Sequence, residues 1–470
     1  MVTTASLTSP DEPCAQRAAR ILTFGFGATT VMWMLCYVAM LQPGQIVGEA
    51  LFVMVVLALG LAGVLVGTTA ATGFEAAFRG ALVGLVSAII NLLLILSLVK
   101  GASQAALMGW LLGLFLGSML IGAVGGFIGT KVRIGPAERF SGNWLGSLAF
   151  VAACIVFLMI ITGGIVTGFE AGLAVPDWPN SYGHNMLLYP LSEMIADLDN
   201  GIFYEHAHRL TGMYVGLTVL TLFVMLWWGD KRAWVGIAGT VILLMVIAQG
   251  ILGGLRVTGR LTFSDDPALL SPQTGLGIVH GVFGQICFAG VVMLAAVMTT
   301  RWSKGPEAKP TLSGGTDRIL GVFLVIALVI QLIIGALYRH LTAEMGAQSE
   351  QPMLILMGHI FMAVFVTALV LLNGLRAAST HRDLPVLKRI GLILLILVGV
   401  QLVLGVLATV AVMMRGDGEG IPVLEVLTTS AHQANGGLLL GGATLLACWY
   451  FRLLQPVPQS ALEPADSSIA

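Results

Sequence analysis

The sequence predicts an all-α polytopic membrane protein with about 12 transmembrane helices. Three observations carry that prediction. Apolar runs of about twenty residues, each long enough to span a bilayer as a helix, recur along all 470 residues. Only 10% of residues are charged and the mean hydropathy is +0.94, whereas a soluble domain needs a charged surface. The Lys and Arg residues also fall on alternate sides of the runs.

Taken in order, the runs place helices near 21–40, 48–68, 80–99 and 107–129, then 144–168, 203–228, 233–255 and 274–299, then 317–338, 354–375, 387–412 and 428–451. With an even number of helices both termini lie on one side. If that side is the cytoplasm, the inner segments collect seventeen of the 23 Lys and Arg residues. The outer segments hold Lys100, Arg256, Arg260, Arg339 and Arg415, and Arg209 lies within a helix. Such a bias orients the chain with cytoplasmic termini. The loop from Phe169 to Ile202 has no Lys or Arg and is therefore outside.

The 59 glycines fit close packing of membrane helices. A net charge of −1 gives no support to a nucleic-acid partner. Cys14, Cys36, Cys154, Cys287 and Cys448 avoid the outer loops, which argues against a disulfide framework. The N-terminal stretch "MVTTASLTSPDEPCAQRAAR" contains acidic residues and is not an Arg-rich amphipathic transit peptide, which favours a bacterial plasma (inner) membrane over an organelle. The first apolar run, without a small-residue cleavage site, reads as an uncleaved helix. The linker "KVRIGPAERFSGNW" (Lys131–Trp144) sets off a four-helix extension at 1–140, without a histidine or a buried charge pair, from an eight-helix region at 141–454. A cytoplasmic tail follows at 455–470.

The eight-helix region contains a repeat. Three helices end on "QGILGGL" (Gln249–Leu255), "QLIIGAL" (Gln331–Leu337) and "QLVLGVL" (Gln401–Leu407), all Q-x-x-x-G-x-L. In the corresponding place the first helix of the region has "MIITGGI" (Met159–Ile165). Each following helix carries a histidine near its outer end: His208, His280, His359 and His432. Three glutamines in register point to duplicated helix pairs, and four imidazoles at one level form a constellation. Facing helices can clamp a porphyrin iron between two histidines, and four histidines make room for two haems. Zinc or copper also takes imidazole, but a tetrahedral site gathers its ligands into one cluster, usually with cysteine or carboxylate. Histidines bonded only to their neighbours are the structural alternative.

Two stretches, "GGIVTGFEAGLAVPDWPNSYG" (Gly163–Gly183) and "FYEHAHR" (Phe203–Arg209), together with "VHGVFGQ", "GHIFMAV" and "AHQANGG", make the region from about Ser141 to Leu454 resemble heme A synthase. That membrane enzyme makes haem A from haem O. The resemblance covers about two-thirds of the chain and leaves Met1–Phe140 unexplained. It implies two four-helix bundles related by a pseudo-twofold axis, with halves at 141–300 and 315–454. It also implies that His208 and His280 ligate the substrate haem O, and that His359 and His432 ligate haem b, an electron-transfer cofactor. The implied reaction turns the C8 methyl of haem O into the formyl of haem A by successive hydroxylations with oxygen from water.

On that reading Glu205, three residues before His208 and so on one helix face with it, is the catalytic candidate. It could take a proton or stabilise a developing cation; a favourable charge at a helix start is the alternative. His206 points roughly 200° away from His208 around the helix axis, so the two cannot face one iron. Arg209 could pair with Glu205 or a haem propionate. Arg256 and Arg339, read as lying just past the outer ends of their helices, could hold propionates or be plain interfacial arginines. The outer-loop motif Pro176-Asp177-Trp178-Pro179 is stiffened by its prolines, and Trp178 suits the interface or a lid over the haem. Many bacterial members have a cysteine pair flanking this motif; Val175 and Ser181 stand here, so a thiol-based role for the loop is absent. His184, His340 and His381 read as solvated or structural.

The resemblance implies a lipid bilayer and haem O as partners, with a haem O synthase and cytochrome oxidase assembly factors as candidates, and a homo-oligomer is compatible with it. Two competitors remain: a bis-histidine electron carrier without substrate chemistry, and a secondary transporter, since twelve helices with internal repeats also describe carriers.

Overall fold

The computed structural model describes residues 12–40, 44–98, 103–132, 143–195, 201–258, 274–345, 349–415 and 420–457. Among them are twelve helices long and apolar enough to cross a membrane. They are α1 (Cys14–Met40), α2 (Gln45–Gly67), α3 (Gly73–Leu98), α4 (Gln104–Gly129), α5 (Trp144–Gly168) and α6 (Ile202–Gly229). The others are α7 (Ala233–Thr258), α8 (Thr274–Val297), α9 (Gly314–Met345), α10 (Glu350–Leu375), α11 (Pro385–Met414) and α12 (Val423–Leu453). The chain is an all-α multi-pass membrane protein, as its composition predicts.

Two helices outrun their predicted ends. α9 continues through Met345 and α7 through Thr258, so Arg339 and Arg256 lie within helices and not past them. A hydropathy pattern stops where polar residues begin, but Tyr338, Arg339 and His340 are compatible with a helix, which simply continues beyond its apolar part. The α3 helix begins early for the same reason, with Glu75 and Arg79 paired in its first turns. Most of the linker (residues 133–142), the end of the tail (458–470) and the first eleven residues lie outside the described residues.

The chain divides into two compact units, Met1–Phe263 and Ser264–Ala470. In the first, α2, α3 and α4 pack through glycines so closely that a β-carbon on Gly67 would stand 2.2 Å from the carbonyl oxygen of Gly126. The extension is also tied to the helices that follow it. Tyr214 of α6 is fully buried and donates its hydroxyl to the carbonyl of Phe26 on α1 at 2.7 Å. Its ring lies 4.8 Å from that of Trp33, whose indole N–H donates to Asn91 of α3 at 3.0 Å. Arg20 of α1 is buried and paired at 2.8 Å with Glu12, whose side chain is partly exposed. The pair's sequence separation of eight residues hides it from helical-spacing rules.

In the second unit a core of Leu324, Val370, Leu387, Leu394, Ala443 and Tyr450, among others, joins α9 to α12. Asp317, fully buried near the start of α9, accepts hydrogen bonds from Ser313 at 2.7 Å and from Arg376 at 2.7 Å, and pairs with His381 at 2.9 Å. His381 is thus structural. Lys309–Thr311 pairs in parallel with Leu454–Pro456, so the tail begins as a short strand.

Candidate functional site

The candidate residues divide between the two units. Glu205, His208, Arg209, Arg256 and the Pro176–Pro179 motif belong to the first; His280, Arg339, His359 and His432 belong to the second.

The repeat becomes intelligible in three places. A β-carbon on Gly163 would stand 3.0 Å from Cε1 of His208, on Gly335 2.8 Å from Cε1 of His359, and on Gly405 3.1 Å from Cε1 of His432. The repeat glycine is therefore the seat on which the next helix lays its imidazole, and any side chain there would take the ring's place. The repeat glutamine holds the ring. Gln331 Nε2 lies 3.1 Å from Nδ1 and 3.2 Å from Nε2 of His359, and donates to its carbonyl at 3.1 Å. Gln401 Nε2 lies 3.2 Å from both ring nitrogens of His432, while its carbonyl accepts from Asn435 at 2.7 Å. In α5, where Met159 replaces the glutamine, Thr162 takes over, with its hydroxyl 3.0 Å from His208 Nδ1. Thr162 is invisible to the repeat pattern; its only signal is its place beside the repeat glycine.

His359 and His432 come together, with ring centroids 6.3 Å apart and planes 69° apart. Two imidazoles on one metal through bonds of about 2 Å have centroids at roughly this separation. The donor set, two glycine-seated imidazoles on facing helices, fits an axially ligated haem. On α8, His280 lies one turn after Gly277, and a β-carbon on Gly277 would meet His340 Cε1 at 2.8 Å. His340 packs within α9 against α8, in keeping with a structural role.

In the first unit the start of α6 and the outer loop form one hydrogen-bonded body. Glu205, 3% exposed, accepts from the Val175 backbone N–H at 2.8 Å and from Arg209 at 2.5 and 3.1 Å. Arg209 spends its other N–H groups on three loop carbonyls: Val175 at 2.9 Å, Asp177 at 2.7 Å and Asn180 at 3.0 Å. Its planar fork suits both tasks at once. The Asp177 carboxylate closes the turn by accepting from the N–H groups of Tyr182 and Gly183, both at 2.7 Å. The Tyr182 hydroxyl donates to the Ala174 carbonyl at 2.6 Å. Burial pushes that phenol's pKa up, and the carboxylates of Glu205 and Asp177 add to the effect.

The two positions flanking Pro-Asp-Trp-Pro are among the tied ones. Val175 reaches Glu205 and Arg209 through its backbone, and the buried Ser181 hydroxyl lies 3.2 Å from His206 Nδ1. His206 is fully buried beside Tyr189, ring centroids 5.2 Å apart, so it serves the loop while His208 faces α5. Trp178 lies over Gly254 of α7, where a β-carbon would be 2.4 Å from its ring. The Arg256 guanidinium lies against Gly172, and the charges of Arg256 and Glu205 act on each other.

Residues 146–443 match the family described as Cytochrome oxidase assembly protein, COX15-CtaA. The chain is 28% identical over 225 residues to a protein named Heme A synthase from Beijerinckia indica, covering 43% of this chain and 58% of that protein. It is 23% identical over 234 residues to another of that name from Rhizorhabdus wittichii, covering 44% and 62%. A third, from Methylorubrum populi, is 26% identical over 211 residues, covering 40% and 52%. The matched part spans between about half and three-fifths of the length of these relatives. With its profile matched across most of the chain, and the histidine–glycine repeat inside that match, the protein belongs to the COX15-CtaA family of cytochrome oxidase assembly proteins.

Proposed function

We propose that this protein is a membrane oxidoreductase that converts the C8 methyl of haem O to the formyl of haem A. The observation that carries the reading is the His359–His432 pair, two imidazoles 6.3 Å apart, each seated on a repeat glycine and held by a repeat glutamine. The named relatives support it. His359 and His432 hold haem b, and His208 and His280 hold the substrate haem.

When bound, haem b supplies reversible one-electron chemistry, and the pair of imidazoles sets its potential. Each hydroxylation of the methyl takes oxygen from water and releases two electrons and two protons; loss of water from the doubly hydroxylated carbon leaves the formyl. The chain's part is to position and to move protons. Glu205, which accepts from Arg209 twice at Oε1 and from the Val175 N–H at Oε2, keeps a lone pair free on Oε2 and accepts a proton there from the reacting carbon or water. Arg209 holds that carboxyl group in place and ties it to the loop. Arg256 and Arg339 offer guanidinium groups to propionates, and Trp178 covers the loop side of α7.

The protein acts in a bacterial inner membrane with its termini inside and the haem sites toward the outer face, receiving haem O from the enzyme that makes it. Glu205→Ala tests the catalytic assignment: haem b is retained and haem O accumulates unoxidised. Normal haem A output from that variant overturns the assignment. A bis-histidine electron carrier would use His359 and His432 equally well, but has no use for a buried carboxylate beside a substrate-side histidine.

A further inference from the structure

The imidazole seats of the two units are not built alike. On α9 and α11 the glutamine Nε2 lies almost equally far from both ring nitrogens of its histidine, 3.1 and 3.2 Å at His359 and 3.2 Å from each at His432. An amide nitrogen only donates, and from that position it does not single out one ring nitrogen. The contact on α5 is of another kind. Thr162 is 1% exposed, and its hydroxyl lies 3.0 Å from Nδ1 of His208. A hydroxyl has one proton and two lone pairs, and the Thr162 proton is donated to the Met159 carbonyl at 3.1 Å. The oxygen therefore meets Nδ1 as an acceptor. That places the ring proton on Nδ1 and the lone pair on Nε2.

Two neighbours preserve the arrangement. Gly163, next to Thr162 in the chain, lies so close beneath the ring that a β-carbon there would stand 3.0 Å from Cε1, which keeps Nδ1 within reach of the hydroxyl. Met159, in the place of the repeat glutamine, turns its methyl group toward Gly212, one turn after His208, where a β-carbon would be 3.2 Å from Cε. A thioether fills that space without offering a hydrogen-bond donor. An amide donor there would call for a lone pair on Nδ1, and so for the opposite tautomer.

We propose that Thr162 is a positioning residue that fixes His208 in the tautomer with Nε2 as the iron-binding nitrogen, and that its bond to Nδ1–H strengthens that ligand. The inference rests on the haem reading given above, in which His208 takes the substrate. A ring N–H bound to an acceptor orients a ligating imidazole and makes it a better donor. The substrate side has the greater need of this. An incoming haem must be captured at every turnover, and a ring already held in the binding tautomer spares a rearrangement that would weaken capture.

The test uses the full chain, purified from a host that makes no haem O and then titrated with haem O. It reads the absorbance change that is missing in His208→Ala. Thr162→Val keeps the shape and removes the hydroxyl. Its dissociation constant for haem O should rise about tenfold to a hundredfold, the range for losing the partner of a ligating histidine. The midpoint potential of that haem should rise as well, because a weaker donor stabilises ferric iron less. Thr162→Ser keeps the hydroxyl and should restore both readouts, and the haem signal that depends on His359 should stay unchanged in either variant. A hydroxyl that serves only the packing of α5 would leave affinity and potential unmoved in Thr162→Val, and that result overturns the proposal while sparing the ligand assignment. A Ser variant that behaves like the Val variant overturns it too, since the methyl group and not the hydroxyl would then be at work. Absence of any His208-dependent change when the unmodified protein is titrated overturns the haem reading itself.

Discussion

Gly335 is the seat of the His359 imidazole, so close beneath it that a β-carbon there would stand 2.8 Å from Cε1. The same relation joins Gly405 to His432 and Gly163 to His208. Gly335→Val should push the ring off its place and lower haem b content at least about tenfold, as an overpacked site costs roughly 1–3 kcal/mol. Gly358→Ala, beside His359 in sequence but with nothing within 4 Å of its β-carbon position, should leave haem content unchanged. Quantifying haem per protein by pyridine haemochrome spectra checks both; equal losses would mean that general helix packing, not the ring's seat, is at stake.

The Glu205–Arg209 pair is buried, with side chains 5% and 8% exposed. Removing one member of such a pair strands the other, at a cost of about 3–5 kcal/mol. Arg209→Ala should therefore lower thermal stability markedly as well as abolish turnover. Arg209→Lys keeps the charge but cannot reach Glu205 and three carbonyls together, so it should restore little of either. A Lys variant with full stability in a melting assay would show that charge alone, and not the fork, holds the loop.

Glu205→Gln separates structure from chemistry at the same residue. The amide oxygen can still accept from the Val175 N–H, and Arg209, though it loses its ion pair, keeps the carbonyls of Val175, Asp177 and Asn180, so the loop stays in place and haem b content is unchanged. Proton acceptance is lost, and turnover should fall by about 10²–10⁴-fold. Chromatography of the haem products reads it; turnover near that of the unmodified protein would remove Glu205 from the proton pathway.

Tyr214 joins α6 to the N-terminal extension through the Phe26 carbonyl. Tyr214→Phe removes that bond while the Phe26 carbonyl keeps the Thr30 hydroxyl at 2.8 Å, which costs about 0.5–1.5 kcal/mol, and should loosen α1 from α6. Faster proteolysis near the N-terminus, with haem b content unchanged, is the expected outcome. Unaltered digestion would mean that the glycine packing and the other polar contacts hold the extension without this bond.

Much of this was legible in the residues. All twelve helices follow from apolar runs, because the spanning length is set by the bilayer and not by tertiary contacts. Glu205 pairing with Arg209 follows from a spacing of four. The glycine of the repeat was visible as a pattern, but its purpose was not: a missing side chain matters only once a neighbour fills the space. Arg209's grip on the carbonyls of Val175, Asp177 and Asn180 left no trace, since backbone acceptors look alike in every sequence. Thr162 was missed because it stands where the repeat fails. The last turns of α9 were missed because hydropathy does not see a helix that continues in polar residues.

The most direct measurement is haem extraction and chromatography on the purified protein made in a host that supplies haem O. Haem b together with haem A or a hydroxylated intermediate is the expected result. Haem b alone under turnover conditions would contradict the oxidase reading and leave an electron carrier, and protein without haem would contradict the role given to all four histidines.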